Sequence, residues 1–478
     1  MNNGLMYNVS DKVPFWKNIA FALQQLLAIV TATILVPLIA DSSGVYLSQS
    51  AALIGAGVGT IIYLLCTNFK SPVFLGSSFA FIGPLTTAVT FGYFGILLGA
   101  LFSALVYVIL AVIIKFVGSG WINKIMPPII IGPVVALIGF DLASSAITNV
   151  STSFGSYNLI AILIGIITFF AVILISVKTK KIKMFPFILA LLIGYAICAI
   201  LTLIGMWTNV EVLKLIDFSP FSTIGNFKNW LPNLTIVGVF KEGAGGVSSF
   251  MDVLTLFVAF VPIAIVSFAE HIADHKNLSS IIDADLLQNP GLHKTLLGDG
   301  LGSFVGAIFG GCPNTTYGES IGCVAMSKNA STKTILTAAI MAVVLAFFYP
   351  LMAFFQTIPT CVIGGISIAL YGFISVSGLR MIKDVDLNES RNLFVVAPIF
   401  ICGIGGLILD FGVFEISNIA CALLVGIFAN LLLKERKKPK KISSAPEILE
   451  ENETVAQAEE DAPPEKPKRK TKKKDGIN

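Results

Sequence analysis

Charge is scarce in this chain: Asp, Glu, Lys and Arg make up 13% of its 478 residues, against about 25% in an ordinary soluble domain. With 55% apolar residues and a mean hydropathy of +0.86, that shortage excludes a soluble enzyme or binding module and implies a polytopic membrane protein. Histidine is nearly absent, with three residues, all between 271 and 293. The seven cysteines (Cys66, Cys198, Cys312, Cys323, Cys361, Cys402, Cys421) are scattered singly, with no Cys-x-x-Cys pair, so neither a zinc site nor a disulfide framework is expected. The His-Glu-x-x-His order is missing, and no third ligand is spaced near His271 and His275. An intramembrane metalloprotease therefore lacks its ligand set. No ring-forming filter sequence suggests a channel. No cleavable signal peptide is expected either, because the polar stretch 1–17 runs straight into a full-length apolar segment.

What the chain has in quantity is apolar runs near the roughly 20 residues a spanning helix needs. Eleven ranges stand out: 18–40, 48–66, 92–117, 127–147, 158–177, 184–206, 251–273, 330–356, 360–379, 392–409 and 414–433. A shorter glycine-rich stretch, 296–311, joins them, as do 72–90 and 312–327, which Gly, Pro and hydroxyl residues interrupt. The expectation is an all-α polytopic membrane protein with fourteen transmembrane segments, with short extended pieces in segments 3 and 10. With a cytoplasmic N-terminus (1–17), Lys70, Lys124, the Lys178–Lys183 cluster, Lys276, Lys328, Lys333, Arg380 and Lys383 all fall inside. Loops such as 148–157 and 410–413 carry no Lys or Arg, as the positive-inside rule requires. The long loop 207–250, with Lys214, Lys228 and Lys241, weighs less in that rule and is expected outside. Both termini are then cytoplasmic in a multi-pass cell-membrane protein. The basic run after Lys434 reads as a topology signal rather than a nucleic-acid site. The tail 435–478, rich in Glu, Lys and Pro, cannot bury a core and should be disordered.

The chain also resembles itself. Gly76-Ser77-Ser78-Phe79-Ala80 matches Asn314-Thr315-Thr316-Tyr317-Gly318, and Pro127–Phe140 matches Pro359–Phe373 with a one-residue slip. Both offsets are near half the chain, which suggests two seven-segment copies. An odd number of crossings turns the second copy over, giving two inverted repeats. Paired interrupted segments in such halves are the best sequence pointer to a transporter's binding site.

Two carboxylates sit where hydrocarbon least tolerates them. Glu270 closes the apolar run Val253–Ala269, and Glu319 follows the helix-breaking Gly310–Gly318. A charge at the bilayer centre costs about 2.5–3.5 kcal/mol on insertion scales and marks a substrate or ion path. Glu319 would lie in the first turn of a half-helix, whose free N–H groups suit a carbonyl oxygen or anion; the alternative is that it only caps that helix. Glu270 and Asp274 share a helical face, with His271 and His275 rotated by about 100° from them. A polar cytoplasmic helix end is the plain alternative for Asp274 and His275. Two carboxylates accepting hydrogen bonds, backbone donors, an aromatic face at Phe79 or Tyr317 and a close backbone approach at Gly318 together suit a small planar heterocycle. A nucleobase such as uracil has those alternating N–H and C=O edges.

The run Pro313-Asn314-Thr315-Thr316-Tyr317-Gly318-Glu319-Ser320-Ile321-Gly322 resembles the signature of the nucleobase–ascorbate transporter family in its uracil permease form. Phe74–Phe81, Ala269–Ile272 and Pro290–Gly300 resemble it too, and the similarity covers all but the termini. The resemblance implies a core from segments 1–4 (18–117) and 8–11 (251–356), and a gate from segments 5–7 (127–206) and 12–14 (357–434). It implies base binding by Glu270, Glu319 and the backbone of Phe79 and Gly318, packing against Ala32 and Tyr371, alternating access, a homodimer, and a proton as coupling ion with no other cofactor. One departure stands out: Asp274 occupies the place of the family's histidine, with His275 next to it. A carboxyl can relay a proton but cannot repeat imidazole's hydrogen bonds, so proton coupling is assigned to Glu270, Asp274 and His275 together. Rival readings are a purine or xanthine symporter of the same family and an anion transporter of related architecture. Two acidic residues at the site would repel an anion.

Overall fold

The computed structural model describes residues 5–41, 43–118, 120–121, 127–178, 186–243, 246–412 and 415–433. Lys124, the lysines Lys180, Lys181 and Lys183 of the basic cluster, and the tail from 434 lie outside them, so the tail's expected disorder does too.

Without water in hydrocarbon, the backbone must satisfy its own N–H and C=O groups, and helices do so within one segment. The chain opens with α1 (Phe15–Ala40) and α2 (Gln49–Cys66), then β1 (Leu75–Ser77), α3 (Ile82–Val89) and α4 (Gly92–Val117). Next come α5 (Pro128–Asp141), α6 (Ala143–Ser151), α7 (Leu159–Lys178) and α8 (Pro186–Thr208). After a long connection follow α9 (Phe250–Ile282), α10 (Leu292–Gly310), β2 (Asn314–Thr316), α11 (Gly318–Ser327), α12 (Thr332–Ala346) and α13 (Tyr349–Gln356). The last three helices are α14 (Thr360–Met381), α15 (Ser390–Ile404) and α16 (Asn418–Leu432). Among the described residues, eight helical stretches are long and apolar enough to cross a membrane, or nine if α12 and α13 count as one bent span.

Four of the expected ranges take a different form. The range 251–273 belongs to a 33-residue helix that a Ser249/Asp252 capping box opens and that ends only at Asp283, in left-handed conformation. His271 and His275 are therefore buried in mid-helix and not at a polar end. The range 330–356 is two helices bent by 78°. Pro350 in the first turn of α13 has no N–H to bond the Ala346 carbonyl and its ring would clash with it, so α12 cannot run on through it. Phe348, between the two helices, leaves the helical region at φ −87°, ψ 81°. The ranges 392–409 and 414–433 hold helices of only 15 residues.

Two close helix contacts set the frame. α2 and α10 pack glycine on glycine: a Cβ on Gly302 would lie 2.6 Å from the Gly59 carbonyl oxygen, and one on Gly55 2.5 Å from that of Gly306. Only bare backbone allows this approach. α5 and α14 meet in the same way through Gly132 and Gly378, where a Cβ on Gly132 would sit 2.8 Å from the Gly378 oxygen. Both helices of that pair begin directly after a proline N-cap, Pro127 and Pro359.

Between the frames lie the interrupted segments. β1 and β2 pair antiparallel, Leu75 with Thr316, Gly76 with Thr315 and Ser77 with Asn314. The Tyr317 N–H extends the ladder to the Phe74 carbonyl at 3.2 Å, and the Ser78 N–H to Pro313 at 2.9 Å. All six paired residues are buried. Their peptide groups would otherwise be unsatisfied at depth, and the pairing removes that cost.

Candidate functional site

α11 starts where β2 stops, in the middle of the fold. Its first turn closes with the Ile321 N–H on the Tyr317 carbonyl at 3.2 Å. The N–H groups before it have no partner inside the helix, as at any helix N-terminus. Ser320 anchors this end: its hydroxyl accepts the Phe74 N–H at 3.0 Å, and its carbonyl accepts from Gln25 Nε2 of α1 at 3.2 Å. Gly318 and Glu319 are thereby left facing open space.

That space is a cavity of about 70 Å³. Phe79, Glu270, Tyr317, Gly318 and Glu319 line one side, and Ile138 of α5 and Ile374 of α14 line the other. Five expected site residues thus come together, with the α5–α14 pair as opposite wall. Phe79, Ala80 and Ile138 also border a larger cavity of about 170 Å³. Among its lining groups are Asp141 and Asn418, joined by a 2.6 Å hydrogen bond from Asn418 Nδ2.

Tyr317 has a second role, and the remaining expected residues stand differently. Tyr317 is buried, and its hydroxyl donates to the Ser77 carbonyl at 2.7 Å, so the side chain braces β1 from beneath Gly76. Tyr371 does not line the cavity; its ring meets Phe79 edge-on, 6.0 Å between centroids at 76°. Ala32 is buried in α1 and does not line the cavity either. Asp274 stands one residue behind the wall, accepting from the Thr316 hydroxyl at 2.6 Å. Thr316 lines the cavity, so Asp274 reaches it through one side chain.

His275 points elsewhere. Its Nδ1 lies 2.8 Å from the His271 carbonyl, which can only accept, so Nδ1 carries a proton. Its Nε2 lies 2.6 Å from the Tyr63 hydroxyl on α2. His271 continues this polar seam, with Nδ1 2.7 Å from Asp299 Oδ2 and Nε2 3.1 Å from Thr295 Oγ1, both on α10. His271 and Asp299 are both fully buried. Asp299 and Thr316 are the functional candidates that sequence reasoning passed over. Asp299 was open to the same argument that singled out Glu270, a carboxylate inside a membrane segment. Among the described residues, no group of three His, Cys, Asp or Glu side chains is placed to hold a metal ion.

The arrangement offers two carboxylates, the open end of a helix and an aromatic edge around one small space. Such a set takes a compact polar ligand with donors on its rim and a flat face.

A model described as the Permease family matches residues 16–410. The uracil permease of Bacillus caldolyticus is 34% identical over 458 residues, covering 95% of this chain and 99% of its own. The uracil permease of Escherichia coli K12 is 32% identical over 432 residues, covering 89% and 93%. In fold, the chain is similar to the transmembrane domain of a cyanobacterial bicarbonate transporter, with a TM-score of 0.56 at 15% identity, covering 89% of this chain and all of that one. It is also similar to the murine solute carrier 26 member A9 anion transporter, with a TM-score of 0.63 at 13% identity, covering 89% and 69%. At those identities the likeness speaks for architecture alone.

Proposed function

Because the chain belongs to the permease family of nucleobase–ascorbate transporters, we propose that it imports a nucleobase, uracil first, by proton-coupled alternating access. The observation that carries this reading is the convergence of Glu270, Glu319, the first turn of α11 and Phe79 on one cavity. In it the two carboxylates accept ring N–H groups, the Gly318–Glu319 backbone donates to a ring carbonyl, and Phe79 covers the flat face. Tyr371 supports Phe79 from behind, and Ala32 packs the α1 side.

The proposal extends to the frame. Fourteen segments in two inverted repeats are supported by the antiparallel β1–β2 pair and by the matching proline starts of α5 and α14. The core is 18–117 with 251–356, and the gate is 127–206 with 357–434. Ile138 and Ile374 then form the gate face, and sliding of that face past the core exposes the base to either side. Glu270 and Asp274 take the coupling proton, the latter through Thr316. His275 bonds away from the cavity and serves the core's internal seam. Both termini face the cytoplasm in a cell-membrane homodimer.

Uptake of labelled uracil by proteoliposomes under an imposed proton gradient tests the reading. Glu270→Gln and Glu319→Gln each turn an acceptor of a charge-assisted bond into a neutral amide. About 1.5–3 kcal/mol, or roughly 10–150-fold in transport efficiency, should go with it. Normal accumulation by either variant would end the proposal. Competition by unlabelled bases decides the second reading, a purine or xanthine symporter: stronger inhibition by xanthine than by uracil would select it. An anion substrate is disfavoured by the same two carboxylates.

A further inference from the structure

A third cavity shares no lining residue with the base site and lies at one end of the bundle. About 720 Å³ in volume, it opens where α2, α9, α10 and α12 all begin or end, and Lys70 and Lys333 stand at it over Phe69, Ile282, Leu286 and Leu336. These helix ends belong to membrane segments, so the cavity sits at the membrane surface with its walls apolar and its mouth basic.

Its charges are uncompensated. Lys70 Nζ donates to a neutral group, Asn289 Oδ1, at 2.8 Å. Among the described residues neither lysine forms an ion pair. Of the nearby acids, Asp11 accepts the Asn8 N–H at 2.7 Å and Asp285 the Leu287 N–H at 2.9 Å. Asp283, exposed between Ile282 and Ala284, pairs with neither lysine, and none of the three lines the cavity. Lys333 is also in the first turn of α12, a turn with no acidic residue. The Ser331 N-cap hydroxyl there is turned away to the Asp11 carbonyl. A cation at a helix N-terminus opposes the helix dipole, so two like contributions meet at one spot. On the other rim, Asn68 and Phe69 both adopt positive φ, 51° and 54°. This strained turn sets both Phe69 and Lys70 at the cavity.

We propose that this cavity binds an anionic phospholipid, its phosphate between Lys70 and Lys333 and one acyl chain along Phe69, Ile282, Leu286 and Leu336. A soluble anion would use the lysines and leave the apolar walls bare. A zwitterionic lipid would use the walls and leave the charge unmet. Basic pockets between membrane helices take anionic head groups for this reason, each basic residue contributing about 1 kcal/mol. The site is independent of what the central cavity transports.

The test is native mass spectrometry of the full chain, purified in detergent and titrated with phosphatidylglycerol or phosphatidylcholine. Phosphatidylglycerol should be retained in preference, and Lys70→Gln with Lys333→Gln should weaken it about 30-fold, about fivefold for each lysine at ~1 kcal/mol. Lys70→Arg with Lys333→Arg should keep the preference. Leu336→Asn should weaken the phospholipid while leaving competition by inorganic phosphate unchanged. Equal retention of the two lipids by the unmodified protein, or full displacement by inorganic phosphate at equal concentration, would overturn the proposal. So would a Gln pair that melts like the parent and still retains phosphatidylglycerol.

Discussion

Removing the Asp299 carboxylate should expose how the polar seam inside the core is held. His271 Nδ1 lies 2.7 Å from Asp299 Oδ2, and both side chains are 0% exposed. Asp299→Ala leaves a ring nitrogen without a partner where water has no access. For a neutral hydrogen bond that costs about 1–3 kcal/mol; for an ionised buried pair, about 3–5 kcal/mol. Asp299→Asn keeps an acceptor oxygen in place and should cost about 1 kcal/mol. The double variant His271→Phe with Asp299→Leu fills the space with apolar atoms and should recover most of the loss, since replacing both partners is often neutral. The chain carries its own reporter in the buried thiols of Cys198, Cys312, Cys323, Cys361 and Cys421. A thiol-reactive fluorogenic dye followed during heating in detergent reads their exposure. Each kcal/mol moves the midpoint of a large chain by about 2 °C, so Asp299→Ala should melt about 2–10 °C below the parent. A double-mutant cycle should return a coupling above about 1 kcal/mol. If Asp299→Ala melts with the parent, or the two single changes simply add, the pair contributes nothing and the argument from burial fails.

Three further outcomes follow from the same geometry. Gly302→Ala places a methyl 2.6 Å from the Gly59 oxygen and 2.9 Å from Leu75 Cδ1, so it should lower stability by about 1–3 kcal/mol and slow uptake through β1. Gly83→Ala in α3, which meets nothing within 4 Å, should be neutral or stabilising by up to about 1 kcal/mol in the same melting assay. Thr316→Val removes the 2.6 Å donation to Asp274 while keeping the side chain's shape. Uptake of labelled uracil should fall by roughly 10–100-fold, and unchanged uptake would remove Asp274 from the transport cycle.

Much of this architecture could be read from residue order because hydrocarbon enforces simple rules. The range 92–117 is uninterrupted and apolar, and α4 occupies it residue for residue. The glycine, proline and hydroxyl clusters at 72–90 and 312–327 mark the breaks, and β1 and β2 lie in them. The expected end of α9 falls too early because Asp274 and His275 resemble a polar exit. The partners of this polar turn, Tyr63, Asp299 and Thr316, come from distant parts of the chain and meet it only once the fold is made. The α12–α13 bend does carry a local signal, Pro350, which the long apolar run around it masks. For the site, lone carboxylates in apolar surroundings are enough to pair Glu270 with Glu319. Helix geometry separates the faces of Glu270 and His275, but which element each face meets is not legible: His275 bonds toward Tyr63 of α2.

The β1–β2 pair also bears on how the chain is made. Leu75 needs Thr316 as its neighbour, so roughly 240 further residues must be synthesised before this ladder can close. At 5–20 residues per second, that is a wait on the order of 10–50 s. Throughout it, the early half holds an open strand edge that hydrocarbon would penalise. Nascent chains must therefore keep that edge hydrated, or sheltered by the insertion machinery, until the later half arrives to splice it.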